Sequence, residues 1–399
     1  MANTFKFGNG NWAVKEDYAL AYNDENGNFK PLPFDFTRAS SATRVNKDGL
    51  IETVPSGKPR IDFLNNTKGH LLLEPSRSNK IAYSEGFNNW ASVFTAVNLN
   101  EVVSPDGGVN ATKLTDTSDS STHRIQIGNT TSSSGSFCYS IFLKKGTLTT
   151  VALSVYSGAN AADSKFDLDN GSIVSTTNGT AEIQEYGNDW YRCIVKGTLA
   201  STSTTTYIYL KEKASYSGSS QFLYAWGGQL EEGSYATSYI PTSGSAVTRV
   251  AETSFQSTPT NAIGQTEGTL YLEVKPTNFD GDQRVSISDG SVTNRIALRL
   301  SGTTIQLSVV IGGTTQASIS GSGSAGNLYK IAGAYKENDF VIYINGTQAG
   351  VDTSGSISGT FNRIGLDRGT SANQFYNPIR DFRLYDTRLT NTELQNLTS

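Results

Sequence analysis

A chain of 399 residues exceeds one ordinary domain, so two or three are expected. Only 36% of residues are hydrophobic and 17% charged, with Ser, Thr, Asn and Gly making up the balance, which excludes long amphipathic helices and favours short strands joined by turns. A net charge of −4 with a pI near 5.4 leaves no electrostatic footprint for nucleic acid, and the sequence holds no long apolar run for membrane insertion.

The chain opens MANTFKFGNGNW, without the apolar segment of a secretory signal. Residues 1–84 are aromatic-rich and poor in alternating runs, with turn signals at Asn26-Gly27, Asp48-Gly49 and Ser56-Gly57. Pro31 and Pro33 oppose a helix there. The phrase FDFTRASSATRVNKDGLIE (34–52) reads as extended segments around a turn. Such a region is expected to dock on something else, either the next domain or sister subunits. Arg38, Arg44, Arg60 and Arg77 stand among small residues, which suits guanidinium forks that tie loops or pair with carboxylates. Asp35, Asp62 and Glu74 are the partners considered.

Residues 85–240 alternate like strands. In VALSVY (151–156), Val151, Leu153 and Val155 share one face and Ala152, Ser154 and Tyr156 the other. Phe137 to Leu143, Trp190 to Lys196, Tyr207 to Leu210 and Gln221 to Trp226 are further strand candidates, separated by turn clusters as in an antiparallel sandwich. Cys138 and Cys193 lie on two of these runs and read as buried free thiols. Residues 241–265, punctuated by Pro241, Gly244 and Pro259, read as a linker. Residues 266–399 read as a second sandwich. It opens on TLYLEV (269–274) and carries an Asn345-Gly346 hairpin turn after FVIYI. It closes on IRDFRLYD (379–386), after which Thr390 and Glu393 form a capping box for a short terminal helix.

Three resemblances are carried by these residues. GNDWYRCIVKG (187–197) resembles the turn-Trp-Tyr-Arg strand of jelly-roll carbohydrate-binding modules. The segments EGTLYLEVKP, YKENDFVIYINGTQAG, FNRIGLDRG and IRDFRLYDTRLTNTELQNL resemble, in order and spacing, the concanavalin A-like fold of laminin-G-like modules. LLLEPSRSNKIAYSEGFNNW (71–90) and WGGQLEEGSYATSYIPTSGSAVTRVAE (226–252) bracket the first sandwich as in bacteriophage virion proteins of the tail-fibre and head-fibre kind. The fold class expected is all-β: two antiparallel β-sandwiches, jelly-roll-like then concanavalin A/laminin-G-like, after an irregular N-terminal region. The resemblance implies a virion protein, assembled in the host cytoplasm, that is not an enzyme. Its implied partners are other virion proteins, sister subunits (a homotrimer) and a host cell-surface glycan. In this reading residues 1–84 mount the chain on the particle, with Leu71 to Leu73 packing that region onto the first sandwich. A purely structural decoration or fibre-joining protein without ligand, and a polysaccharide-degrading tail spike, are the alternatives.

Catalytic chemistry finds few residues to carry it. Glycoside hydrolysis needs two carboxylates facing one bond, and no Glu-x-Asp-x-x-Glu strand occurs. Adjacent Glu231 and Glu232 would point to opposite faces of a strand. The two histidines, His70 and His123, lack a nucleophile elbow and read as structural or solvated. No cofactor is expected; calcium is the one ion considered, at Asp167 and Asp169 or at Asp280 and Asp282. Sugar stacking by exposed aromatics is considered at Tyr156, Tyr186, Trp190, Tyr207 and Tyr209 in the first sandwich and Tyr335 in the second. The first place to look in the second sandwich is the loop NQFYN, with Asn373, Phe375 and Tyr376 beside Asp367 and Arg368.

Overall fold

The computed structural model describes residues 5–15, 18–23, 30–256, 262–370 and 372–399. The Asn26-Gly27 turn and Pro259 lie outside them. The chain divides into two compact units, both discontinuous in sequence. One comprises residues 1–41, 54–75 and 250–399; the other comprises 42–53 and 76–249. Each is an antiparallel sandwich, so the all-β expectation holds.

The unit formed by 42–53 and 76–249 has two six-stranded sheets. In one, Gly135–Lys145 lies between Trp190–Leu199 and Phe222–Glu232. In the other, Ser203–Leu210 lies between Arg124–Thr130 and Thr150–Tyr156. Val151, Leu153 and Val155 meet Phe137, Tyr139, Ile141 and Leu143 in its core, as the alternation predicts. Cys138 aligns with Lys196, three residues past Cys193, so the two thiols face opposite sides of the sheet and both are free. Burial raises both thiols well above their usual range.

The two signature segments meet in this unit. Arg77–Asn79 pairs antiparallel with Val247–Arg249. The fully buried Asn79 amide donates to Gly228 O at 3.0 Å and Ile240 O at 2.9 Å, and its oxygen accepts from the Ile81 and Leu230 amides, both at 3.1 Å. All four of its hydrogen-bonding positions are thereby filled. Residues 241–249 belong to this unit and not to a linker, since Val247–Arg249 pairs with Arg77–Asn79 and Thr242 donates to Ile81 O at 2.6 Å and to Ser84 Oγ at 2.8 Å.

The other unit corrects the expected N-terminal region, whose residues are neither irregular nor separate. The strand Phe5–Gly8 inserts between Tyr18–Asn23 and the closing strand Ile379–Tyr385. In the core Phe7 stacks on Phe34, Phe34 lies tilted against Phe5, and Phe5 meets Phe382 edge-on. Lys30–Thr37 pairs with Tyr18–Asn23 and also with Thr253–Gln256. Leu71 and Leu73 enter this same core, and Leu71 aligns with Ile379, so they do not pack on the first sandwich. Alternation was hard to see because these strands are three to eight residues long and separated by turns. At Asn345 and Gly346, φ values of 46° and 76° give the tight turn between Asp339–Ile344 and Thr347–Asp352. Thr390 caps the helix Asn391–Thr398 reciprocally with Glu393.

Candidate functional site

Three strands of the laminin-G-like unit, Gln283–Ser288, Arg295–Ser301 and Thr304–Ile311, run antiparallel side by side. Their inward residues, Val285, Ile287, Ile296, Leu298, Ile305, Leu307 and Val309, are apolar and buried. Alternation sends the intervening residues to the outer face. Register then sorts that face into rows. Arg284, Arg299 and Gln306 form one row; Ser286, Ala297 and Ser308 form the next; Ser288, Arg295 and Val310 form the third. The middle row is small and buried, and arginines two residues apart along the strand, about 7 Å, flank it.

The loop after Arg363–Gly365 borders this face. Ser286 Oγ donates to Asp367 O at 2.8 Å and Ser288 Oγ to Gly369 O at 3.3 Å. The loop folds on itself through Arg368 N to Ala372 O and Phe375 N to Leu366 O, at 2.9 and 2.8 Å. The sequence-expected residues thus gather here, in different roles. Phe375 is fully buried in the core and Tyr376 packs partly against it, correcting the expectation of exposed aromatics, because Phe375 fills the space beneath the loop. Asp367 is fully buried, and its carboxylate receives Arg363 at 2.7 and 2.5 Å and the Gly369 amide at 2.7 Å, so it holds the loop. Asn373 is exposed at the tip and donates to Asp282 Oδ2 at 3.4 Å.

Electrostatics single out what sequence reasoning missed. Five arginines (284, 295, 299, 363, 368) share this region with two carboxylates, Asp282 and Asp367. Asp282 takes Arg284 Nε at 2.9 Å and Arg299 Nε at 2.6 Å. Burial alone would raise its carboxyl, but these two guanidiniums hold it down at about 2. Arg295 has no ion-pair partner among the described residues, and its buried Nε has no acceptor. Burial first, then repulsion from Arg284 and Arg368, pushes its guanidinium down to about 10. Arg368 Nε is likewise buried without an acceptor among the described residues. In Gln374, 4% exposed, neither amide atom has a partner. The sequence signal was the alternation in QRVSIS and RIALRL, where arginines occupy the polar phase.

The calcium candidates do not gather ligands. Asp167 Oδ1 accepts the Asp169 and Asn170 amides of its own turn, and these bonds, with the Asn170 side chain, hold its carboxyl below the usual range. Asp169 pairs with Lys145, and Asp282 is occupied by arginines. Asp280 is exposed on the adjoining turn. Among the described residues no group of three His, Cys, Asp or Glu side chains gathers to hold a metal ion.

The jelly-roll unit offers two further surfaces. Tyr207 and Tyr209 stack on an outer sheet face with ring centroids 5.5 Å apart and planes 19° apart, and Arg124 lies 6.0 and 5.8 Å from them. Their charged neighbours are already engaged: Lys213 with Asp163 at 2.8 Å and Arg124 with Gln126 at 2.9 Å. Tyr156 is exposed on the adjacent strand, whereas Trp190 is buried; Tyr335 is buried in the other unit. Separately, the signature segments line a cleft of about 410 Å³ beside Tyr83, Glu85, Asn89 and Thr242. Burial raises the Glu85 carboxyl, against the Tyr239 hydroxyl that donates to it at 2.8 Å. No second carboxylate lines the cleft, so it has no acid/base pair. Glu231 and Glu232 take opposite faces as expected, Glu231 buried against Thr237 and Glu232 paired with Lys80 at 3.1 Å.

Residues 250–395 match the family model of the concanavalin A-like lectin/glucanases superfamily. The sandwich carrying the arginine face is therefore a concanavalin A-like module in its laminin-G form. No curated protein matches the chain. Among solved structures it is similar to the CBM40 of Ruminococcus gnavus IT-sialidase bound to α2,3-sialyllactose, at 15% identity over 34% of this chain and 84% of that one, with a TM-score of 0.31. It is also similar to domain 4 of AbnA, a GH43 extracellular arabinanase of Geobacillus stearothermophilus in complex with arabinotriose, at 17% identity over 42% and 83%, with a TM-score of 0.32. Domains LG4-5 of the mouse laminin α1 chain give 12% identity over 67% and 86%, with a TM-score of 0.26. At these values the likenesses carry no argument about activity.

Proposed function

We propose that the protein is a non-catalytic glycan-binding protein that works as a bacteriophage fibre or decoration component attaching to the host surface. The supporting observation is the arginine- and serine-lined outer face of a concanavalin A-like sandwich, where the Arg295 and Arg368 Nε atoms and the Gln374 amide stand buried without partners among the described residues. Buried donors without acceptors are costly in the free protein, and a polyhydroxylated ligand would supply acceptors. The virion role rests on the resemblance of the paired segments 71–90 and 226–252, and the structure gives these segments a mutual clasp through Asn79. Copies displayed together would turn a shallow, weak site into firm attachment.

Binding of the intact chain to an array of envelope glycans and to host cells tests this reading, with antibody localisation on particles testing the virion role. Retention on at least one glycan class is expected. An intact, folded chain that ignores every glycan and every host cell leaves the purely structural alternative in its place. The experiment requires the full chain. A fragment of residues 241–399 lacks Phe5, Phe7, Phe34, Leu71 and Leu73 from its own core.

A further inference from the structure

We infer that the arginine face of the laminin-G-like unit recognises the carboxylate of an acidic saccharide, a uronic or sialic acid type of unit, through Arg295 and Arg368. This deepens the glycan-binding reading and rests on it. Three observations converge. Arg295 is 6% exposed, carries no counter-ion among the described residues, and stands near Arg284 and Arg368, two more cations. Arg284 spends its fork on Asp282, at 2.9 Å from Nε and 3.1 Å from Nη2, leaving Arg295 and Arg368 as the uncompensated pair. The chain as a whole is acidic, with a net charge of −4, so a concentrated positive face is local and not a by-product of composition.

Holding like charges together at low exposure is unfavourable unless something neutralises them. A guanidinium offers two parallel N–H donors that match a planar carboxylate. The row between the arginines, Ser286, Ala297 and Ser308, is small and buried, so it presents no competing charge to a carboxylate held at the guanidiniums. Arg295 stands on a strand whose backbone amides are engaged in the sheet ladder, and on the loop the Arg368 and Gly369 amides are already given to Ala372 O and Asp367 Oδ1, so these amides are not offered to an anion in the way phosphate sites use them. That favours the carboxylate over a phosphate ester.

Titration calorimetry of the full chain with sialyllactose and oligogalacturonate, each beside its neutral parent (lactose, oligogalactose), tests the inference. At least one carboxylated sugar is expected to bind about tenfold or more tighter than its neutral parent. Arg295→Met is expected to erase that preference while keeping the unfolding transition, since Met replaces the buried stem. Arg368→Met, on the loop, gives a second reading should the first variant fold poorly. Equal affinity for acidic and neutral sugars, or a preference unmoved in both variants, overturns the carboxylate assignment and leaves glycan binding standing. Preference for a phosphorylated sugar, displaced by inorganic phosphate, overturns it in favour of the other anion. Failure to bind any saccharide sinks both readings together.

Discussion

Two sets of arginines in the same unit differ in every respect except residue type. Arg60 is fully buried and gives both ends of its fork to Glu252, at 2.8 and 2.5 Å, with a further 2.9 Å contact to Glu74. Burial would lower its guanidinium, but these carboxylates hold it above its ordinary value. Arg38 adds a 2.7 Å contact to Glu252 and donates to the carbonyls of Ser40, Val54, Pro55 and Lys58. This set ties four separated stretches of chain, as arginines among small residues suggested. On the sheet face, Arg295 and Arg368 have buried Nε atoms with no acceptor, and Arg295 is lowered where Arg60 is raised. A saturated network is explained by folding; an unsaturated one asks for something from outside the chain.

The comparison can be broken at several points. Deleting residues 1–41 removes Arg38 together with Phe5, Phe7 and Phe34, and should abolish the cooperative unfolding of this unit in calorimetry. A surviving transition would show that the paired set is dispensable. Glu252→Ala strands Arg38 and Arg60 and should cost about 3–5 kcal/mol in urea unfolding. A cost below about 1 kcal/mol would mean the network relaxes onto Glu74 and carbonyls. Arg295→Met should leave stability within about 1 kcal/mol of the parent, or raise it, because no protein partner is lost and a repulsion is removed. A loss as large as that of Glu252→Ala would move Arg295 into the structural set.

Acid sharpens the contrast further. Asp282 is held at about 2 in the folded protein, below the ordinary carboxylate value of 3.8. Its contribution is therefore present above that ordinary value and is lost as pH falls from about 4 through about 2. Asp282→Asn should flatten the stability profile in this window, measured by urea midpoints across pH. An unchanged profile would detach Asp282 from Arg284 and Arg299. A small effect, with none on sugar preference, is expected at Tyr207→Ala, whose partly exposed ring stacks on Tyr209. Stability should change by about 0.5–1.5 kcal/mol, and the preference for acidic sugars should stay as it was. A lost preference would place the binding face on the other unit.

Much of the molecule was legible in the sequence. Alternation in VALSVY, TLYLEV and IRDFRLYD marked core strands because a half-buried strand must separate its faces with period two. The Asn345-Gly346 turn and the Thr390–Glu393 capping box are local chemistry, decided within four residues. Glu74 was among the carboxylates considered for the four arginines, but its pairing with Arg60 in particular, and the part played by Glu252, were not read from the sequence. The candidate site was harder to see. Its loop, Asp367 to Tyr376, was found, yet the roles of Phe375 and Asp367 were inverted, since exposure depends on what lies beneath a loop. Arg295 and Arg284 looked like ordinary polar-phase residues.

By itself, then, the sequence determined the alternating strands of the two sandwiches, the Asn345-Gly346 turn and the helix cap, because these depend on local backbone preferences and on period, while the order of the C-terminal blocks was read from their resemblance to laminin-G-like modules. Only tertiary structure decided that Phe5–Gly8 inserts beside Ile379–Tyr385, that Asn79 is satisfied by residues 149 to 161 positions away, and that three arginines share one sheet face. Those facts depend on strand register and on pairing between distant segments. An arginine's neighbours across a sheet are set by register, so whether it is paired or left wanting a ligand is a property of the fold and not of the residue.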